Sequence, residues 1–129
     1  DGKSTMSRRL PGWRLLADDT VCVEALQGEP GVWVSGTPFH GSERLPRCGD
    51  RVPLARIFIL APHAERLTLT SISSAELYSA LVSRVFCPLT DGPVPREVTE
   101  WAERVAMRVD GGQLASSLDH DVAAVLGDA

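Results

Sequence analysis

Four residues at the start of the chain have the types and the order that bind phosphate. They are Gly2, Lys3, Ser4 and Thr5. Gly-Lys-Ser at a helix start closes the phosphate-binding loop G-x-x-x-x-G-K-[ST], where backbone N–H groups and the lysine face phosphate oxygens and the hydroxyl ligates magnesium. The tripeptide also occurs at ordinary helix starts, so it needs a second feature to indicate a nucleotide site. Because the sequence begins inside the motif, we expect a fragment that lacks the first strand and the start of the loop.

The second feature is a pair of adjacent carboxylates, Asp18 and Asp19, between the apolar runs 13–17 and 21–23. Two acidic residues at the end of a buried strand are costly unless a metal ion or a cationic partner lies beside them. Magnesium bound with a nucleotide near Ser4 would supply that charge. The pair therefore favours a phosphoryl-transfer site, and the alternative is a solvated hairpin turn.

Three segments together resemble the HPr-kinase-related kinases, which share a P-loop fold with ATP-dependent phosphoenolpyruvate carboxykinase. They are residues 2–5, residues 12–20 (Gly-Trp-Arg-Leu-Leu-Ala-Asp-Asp-Thr) and residues 36–41 (Gly-Thr-Pro-Phe-His-Gly). The resemblance runs from residue 1 to about residue 90. It implies ATP and Mg²⁺ as cofactors, with one of Asp18 and Asp19 serving the metal and the other the attacking hydroxyl; which does which is open. It also implies assembly into a homo-oligomer as one possibility.

Three functions are compatible with these features. The first is an ATP-dependent kinase that moves the γ-phosphoryl group to a hydroxyl of a protein, a peptide or a small molecule. Features that bind HPr are not recognisable, so the acceptor stays open. The second is a carboxykinase, which needs further metal ligands and carboxylate-binding arginines that the sequence does not reveal. The third is a nucleotide-binding regulatory or partner protein without catalysis.

The longest predicted irregular stretch, residues 36–53, is rich in glycine and proline and carries several cationic or titratable side chains. These are His40, Arg44, Arg47 and Arg51. A planar guanidinium on a loop beside a phosphate site suits contact with transferring phosphoryl oxygens, and Arg44 is our candidate catalytic arginine. The alternative is a solvated loop whose arginines pair with Glu43 and Asp50. His40 is either substrate-facing or an ordinary turn residue.

Composition excludes several other classes of function. The 129 residues, 43% of them hydrophobic, indicate one domain or most of one over residues 1–129. A formal charge of −4 argues against a nucleic-acid or anionic-membrane partner. No run approaches the roughly 18 apolar residues of a membrane span. Three widely spaced cysteines without a C-x-x-C pair predict reduced thiols in a cytoplasmic protein, and no zinc site.

Hydrophobic periodicity predicts an α/β fold with a mixed β-sheet and flanking helices. The resemblance specifies it further as the phosphoenolpyruvate carboxykinase/HPr kinase C-terminal-like P-loop fold. We predict strands at residues 13–17, 20–26, 32–34, 54–60, 66–70 and 105–109, and helices at 3–10, 74–86, 96–104 and 119–126. Ser73 and Glu76 form a predicted capping box, Ser117 or Asp119 is expected to cap the last helix, and residues 110–112 (Asp-Gly-Gly) are expected to end the last strand.

Overall fold

The structure is a computed structural model that describes residues 10, 12–17, 20–38, 49–85, 92–116 and 121–127. Over these ranges the chain forms six strands and three helices, with the strands in two three-stranded sheets. The predicted α/β class with a mixed sheet is therefore confirmed. The predicted helix at residues 3–10 lies almost entirely outside the described residues.

The first sheet is antiparallel and follows the order β1-β2-β3. Strands β1 (Val21–Glu24) and β2 (Trp33–Gly36) pair with Val21 opposite Gly36. Both were predicted, at residues 20–26 and 32–34, because β-branched and aromatic side chains suit a pleated strand. Gly28, with φ of 81°, adopts the left-handed conformation in the connection between them.

Strand β3 (Arg51–Pro53) corrects the prediction that residues 36–53 are irregular throughout. It pairs with β2, with Val52 opposite Val34. Pro53 has no N–H group to donate, and a strand at the edge of a sheet tolerates that loss. The high proline and glycine content of residues 36–53 predicted a loop, and the short edge strand at its end was therefore missed.

The strand predicted at residues 13–17 is wrong. Residues 12–17 form a turn and irregular structure, starting at Gly12, which has φ of 82°. The Trp13 N–H donates to the Leu10 carbonyl at 3.2 Å, and the Trp13 side chain is 53% exposed. The apolar run indicated a buried strand, but its largest side chain lies at the surface.

The second sheet is mixed and follows the order β4-β6-β5. Strands β4 (Arg56–Pro62) and β6 (Asp110–Ser116) are parallel, whereas β5 (Thr68–Ser71) runs antiparallel to β6. The strands predicted at residues 54–60 and 66–70 are confirmed, with starts shifted by about two residues. The connection between β4 and β6 holds β5 and two helices, as a parallel pair of strands requires a long crossover.

Helix α1 (Ser74–Arg84) begins with the predicted capping box. The Glu76 N–H donates to Ser73 Oγ at 3.2 Å, and the Ser73 N–H donates to Glu76 Oε2 at 2.7 Å. These bonds satisfy two N–H groups that the first turn leaves unpaired. The helix buries Leu77, which is 1% exposed.

Helix α2 (Arg96–Arg108) is one turn longer than predicted, and the strand predicted at residues 105–109 is wrong. The helix buries Ala102, Val105 and Ala106, so the apolar residues at its end continue a helical face. The residues expected to stop a strand, 110–112, instead begin β6.

Two glycines in β6 explain why that strand was missed. A Cβ atom added to Gly111 would lie 2.8 Å from Ile72 Cγ1, and one added to Gly112 would lie 2.9 Å from Phe58 Cδ1. The glycines are therefore sites of close packing inside the sheet and not the turn that the sequence predicts.

The last helix, α3 (Val122–Gly127), is shorter than the predicted range 119–126 at its start. The Ala124 N–H donates to Asp121 Oδ1 at 3.4 Å, so Asp121 supports the first turn. The predicted caps Ser117 and Asp119 lie outside the described residues.

A shared apolar cluster joins the first sheet to helix α2. Its buried members are Ala25, Val32, Val105 and Val109, and Val23, Leu54, Ile57, Leu81 and Trp101 pack against them. The cluster therefore includes residues from both sheets and both longer helices. None of the helices in the described part of the chain is long and apolar enough to cross a lipid bilayer.

Candidate functional site

All the predicted phosphate, metal and catalytic residues lie outside the described residues. They are Gly2, Lys3, Ser4, Thr5, Asp18, Asp19 and Arg44. His40 and Arg47 lie outside them as well. The structure does describe the residues on both sides of the aspartate pair, Ala17 and Thr20, and the strand that follows.

Thr20, which follows Asp19 directly, is bonded across the first hairpin. Thr37 Oγ1 donates to the Thr20 carbonyl at 2.7 Å in a partly buried position. Val21 pairs with Gly36, so this bond lies one residue beyond the end of the β1–β2 ladder. A hydrogen bond of this kind is worth roughly 0.5–1.5 kcal/mol. It fixes the backbone immediately after the aspartate pair.

The segment before the aspartate pair is connected to the approach to β3. An Arg14 guanidinium nitrogen contacts a carboxylate oxygen of Asp50. The side chains are 70% and 55% exposed, and ion pairs in such positions contribute about 0–1 kcal/mol. This contact is therefore a weaker restraint than the bond between Thr37 and Thr20.

Helix α2 holds the other end of β1 with three side-chain donors. The bonds run from Trp101 Nε1 to the Val23 carbonyl at 2.9 Å, from Arg104 Nε to the Ala25 carbonyl at 2.6 Å, and from Arg108 Nη1 to the Leu26 carbonyl at 2.8 Å. The donors are three and four residues apart, so they lie along one face of the helix. The sequence predicted a helix at residues 96–104 but did not indicate these long-range bonds.

Arg51 has partners inside the first sheet. Its Nε and Nη2 donate to the two carboxylate oxygens of Glu24, each at 3.3 Å, and its guanidinium carbon lies 4.3 Å from the centroid of a Trp33 ring. The expected alternatives for Arg51 were a phosphoryl contact or a pair with Glu43 or Asp50. In the structure, Arg51 instead links β3 to β1 through Glu24 and to β2 through Trp33.

A concave surface that the sequence did not predict lies between α1 and the second sheet. It is an open depression of about 450 Å³. Its lining residues are Ile59, Ile72, Ala75, Glu76, Ser79 and Gln113. One oxygen of the Glu76 carboxylate accepts two bonds from Ser73, from its N–H and its hydroxyl, and these bonds hold the pKa of Glu76 below its ordinary value.

The donor chemistry of the predicted metal site suits magnesium. Ser4, Asp18 and Asp19 offer one hydroxyl and two carboxylates, and hard oxygen ligands of this kind are those that Mg²⁺ takes. Among the residues that the structure describes, no cluster of three or more histidine, cysteine, aspartate or glutamate side chains is placed to bind a metal ion. Cys22 is an exposed free thiol.

Comparisons with protein-family models, curated proteins and solved structures found no match.

Proposed function

We propose that the protein is an ATP-dependent phosphotransferase that moves the γ-phosphoryl group of ATP to a hydroxyl acceptor. The observation that carries this proposal is the order of two features along the chain. A glycine-lysine-hydroxyl sequence at residues 2–5 is followed by the adjacent carboxylates Asp18 and Asp19 immediately before strand β1. Phosphoryl transfer requires mainly positioning and charge stabilisation, and these residue types provide both.

The phosphate-binding residues have separate roles in this proposal. Lys3 places its ammonium group against the β- and γ-phosphate oxygens, and the backbone N–H groups of Gly2 and Thr5 contribute to the anion cradle. Ser4 supplies a hydroxyl oxygen to magnesium together with one aspartate. Bound magnesium supplies positive charge to the phosphate oxygens.

The second aspartate acts as the base toward the acceptor. It takes the proton of the acceptor hydroxyl as the new oxygen–phosphorus bond forms and the bond from the γ-phosphorus to the bridging oxygen of ADP breaks. Arg44 stabilises the negative charge of the transferring group. The acceptor is a serine of a protein or peptide, or a small-molecule hydroxyl.

The contacts that hold strand β1, which follows the aspartate pair, support this assignment. Thr20 is bonded to Thr37, and the far end of β1 is bonded to α2 through Trp101. Carboxylates that bind metal or accept a proton must be held in place, because small misplacements of a reacting group are costly in rate. A strand fixed at both ends is a suitable support for such a pair.

For the whole protein, we also propose a fold, a cellular compartment and an oligomeric state. The mixed sheet supports, at a coarse level, a P-loop domain of the phosphoenolpyruvate carboxykinase/HPr kinase type over residues 1–129. The odd number of widely spaced cysteines supports a reducing, cytoplasmic compartment. We propose that the protein assembles into a homo-oligomer. We propose neither nucleic acid nor a membrane as a partner.

The test is magnesium-dependent transfer from γ-labelled ATP by the full-length gene product. We expect Lys3→Ala to weaken ATP binding and to lower turnover, because it removes the cation that faces the phosphates. The matched control is Arg66→Ala, which removes an equal charge from an exposed position between β4 and β5. Unchanged ATP affinity in Lys3→Ala would contradict the phosphate-binding assignment. ATP binding without transfer or hydrolysis would instead identify a nucleotide-binding regulatory protein.

Lys3 also allows a direct chemical test of the nucleotide contact. It is the only lysine among the 129 residues. An acyl-phosphate derivative of ATP transfers its acyl group to a lysine amine beside the phosphates, and the modified peptide is identified by mass spectrometry. We expect modification of Lys3 that excess ATP suppresses. Modification that ATP does not suppress would show only an accessible amine.

A further inference from the structure

We propose that the depression between α1 and the second sheet is a docking site for an arginine side chain of a polypeptide partner. Its volume of about 450 Å³ lies within the range of roughly 300–1,000 Å³ that ligand sites occupy. The lining combines two isoleucines with three polar side chains, Glu76, Ser79 and Gln113. An aliphatic stem that ends in a cation matches this combination. This role is separate from the proposed function.

The floor of the depression is apolar and is held by backbone pairing. Ile59 of β4 pairs with Gln113 of β6, and the Ile72 N–H donates to the Gly111 carbonyl at 3.1 Å. A Cβ atom added to Gly111 would lie 2.8 Å from Ile72 Cγ1, so Ile72 packs directly over the glycine. Residues 111 and 113 face the same side of the sheet, because side chains alternate along a strand. Ile59 and Ile72 stay partly exposed there, beside an exposed Gln113.

Helix α1 supplies the wall that carries the charge. Ala75 and Ser79 are four residues apart and lie on one face of the helix, next to Glu76. Glu76 Oε2 accepts bonds from the Ser73 N–H at 2.7 Å and from the Ser73 hydroxyl at 2.8 Å. These bonds orient the carboxylate and lower the pKa of Glu76, so the group is ionised at neutral pH.

The polar groups of the depression are available to a partner. No arginine or lysine among the described residues forms an ion pair with Glu76. The Ser79 hydroxyl and the Gln113 amide make no hydrogen bond to another residue in the described part of the chain. The described residues also include no cluster of three acidic, histidine or cysteine side chains that could hold a metal ion. An organic cation therefore complements the single carboxylate.

Arginine fits these groups better than lysine does. Its planar guanidinium has five N–H donors that can reach several acceptors at once, whereas the lysine ammonium is a compact and strongly hydrated charge. The methylene stem can pack on Ile59 and Ile72 while the charged head stays beside Glu76. Sites for small molecules usually enclose their ligand. This depression is open, which favours a side chain whose backbone stays outside.

The experiment titrates the isotope-labelled full-length gene product with short peptides and follows its backbone amide signals by NMR, which detects weak binding. The probe is an acetylated and amidated pentapeptide with arginine at its centre and alanine elsewhere. Two further peptides carry lysine or norleucine at the centre, and norleucine keeps an apolar stem without the charge. We expect the arginine peptide to shift signals around residues 75–79 and 113. The norleucine peptide should bind about two- to five-fold more weakly, as the loss of an exposed ion pair predicts.

Matched variants assign the binding to the depression. Ser79→Phe fills the space from an exposed helix position and should abolish the shifts, whereas Ser83→Phe, one turn further along α1, should bind as the wild type does. Glu76→Gln should weaken the arginine peptide about two- to five-fold and leave the norleucine peptide unchanged. Glu65→Gln, at an exposed position outside the helices, is its control. Melting temperatures are recorded for all variants, and Ser79→Phe keeps the test decisive if Glu76→Gln fails to fold.

Several results would overturn the docking role. They are the absence of shifts at millimolar arginine peptide, equal binding of the arginine and norleucine peptides, tighter binding of the lysine peptide, and wild-type binding by Ser79→Phe. Signals of the depression that move with protein concentration alone would also overturn it, because they would identify a second copy of the chain as the occupant. Every readout is peptide binding, so a failed phosphoryl-transfer assay leaves this test intact and a failed titration leaves the proposed function standing.

Discussion

At the scale of single residues, the clearest result is the capping box at the start of α1. Ser73 and Glu76 were predicted to bond reciprocally, and the observed bonds are 3.2 Å and 2.7 Å long. Such a motif spans only four residues, so the local sequence contains all the information that it needs. Strand β6 could not be predicted in this way, because its two adjacent glycines are in close contact with residues that are distant in sequence.

The Glu76 carboxylate should make helix stability depend on pH. The Ser73 backbone N–H, and then its hydroxyl, lower the pKa of Glu76, so folding favours the ionised form. A lowered folded-state pKa stabilises the protein above the ordinary glutamate value of about 4.3, and that contribution is lost as pH falls through the lowered value. Glu76→Gln keeps the shape and removes the charge.

We expect the wild type to be more stable than Glu76→Gln at pH 7, and the difference to shrink as the pH falls below about 4.3. Urea unfolding followed by far-UV circular dichroism at several pH values measures the difference. Glu65→Gln, at an exposed position outside the helices, is the control. A difference that stays constant down to the lowest pH would contradict the assignment of the charge to the cap.

At the scale of elements, the structure depends on contacts between segments that the sequence pattern does not reveal. The local pattern of glycines at positions 111 and 112 is typical of a turn, yet both lie in β6. The decisive atoms belong to Ile72 and Phe58, about 40 and 54 residues earlier in the sequence. The same limit explains β3, whose pairing with β2 outweighs a composition typical of loops.

We expect Gly112→Ala to destabilise the protein. The added Cβ would lie 2.9 Å from Phe58 Cδ1 and 3.3 Å from the Thr70 carbonyl oxygen, and the second contact is with backbone that cannot easily move. Overpacking of this kind typically costs about 1–3 kcal/mol. The measurement is the free energy of unfolding in urea.

The matched control is Gly92→Ala, because a Cβ at Gly92 would meet no atom of the described structure within 4 Å and its φ is not in the left-handed region. We expect a change within about 0.5 kcal/mol for it. Equal stability of the two variants would show that the packing around Gly112 is looser than the structure indicates.

At the scale of the whole molecule, the two sheets are joined through α2 and the cluster around Val105. The fold class could be predicted because alternating and helical apolar patterns identify most of the elements. The division into two sheets could not be predicted from the sequence, because it depends on pairings such as that of β4 with β6, which are distant in the chain. The candidate site was identified from residue types and order alone, and the structure contributes the frame on both sides of the aspartate pair.

The central feature of the proposed function is the aspartate pair, Asp18 and Asp19. Two adjacent carboxylates repel each other, and a bound cation would relieve that repulsion. In the proposed mechanism, one aspartate would hold magnesium bound with the nucleotide, and the other would accept the proton of the acceptor hydroxyl. The pair therefore separates a phosphotransferase from a nucleotide-binding protein without catalysis.

The most direct measurement compares Asp18→Asn and Asp19→Asn in the full-length gene product, because asparagine keeps the size and removes the charge. Magnesium-dependent ATP affinity and the rate of γ-phosphoryl transfer are measured for each. One variant should lose magnesium-dependent binding, and the other should keep binding but lose about 10²–10⁴-fold in transfer rate. Full transfer by both variants would contradict the account and make the pair a structural turn.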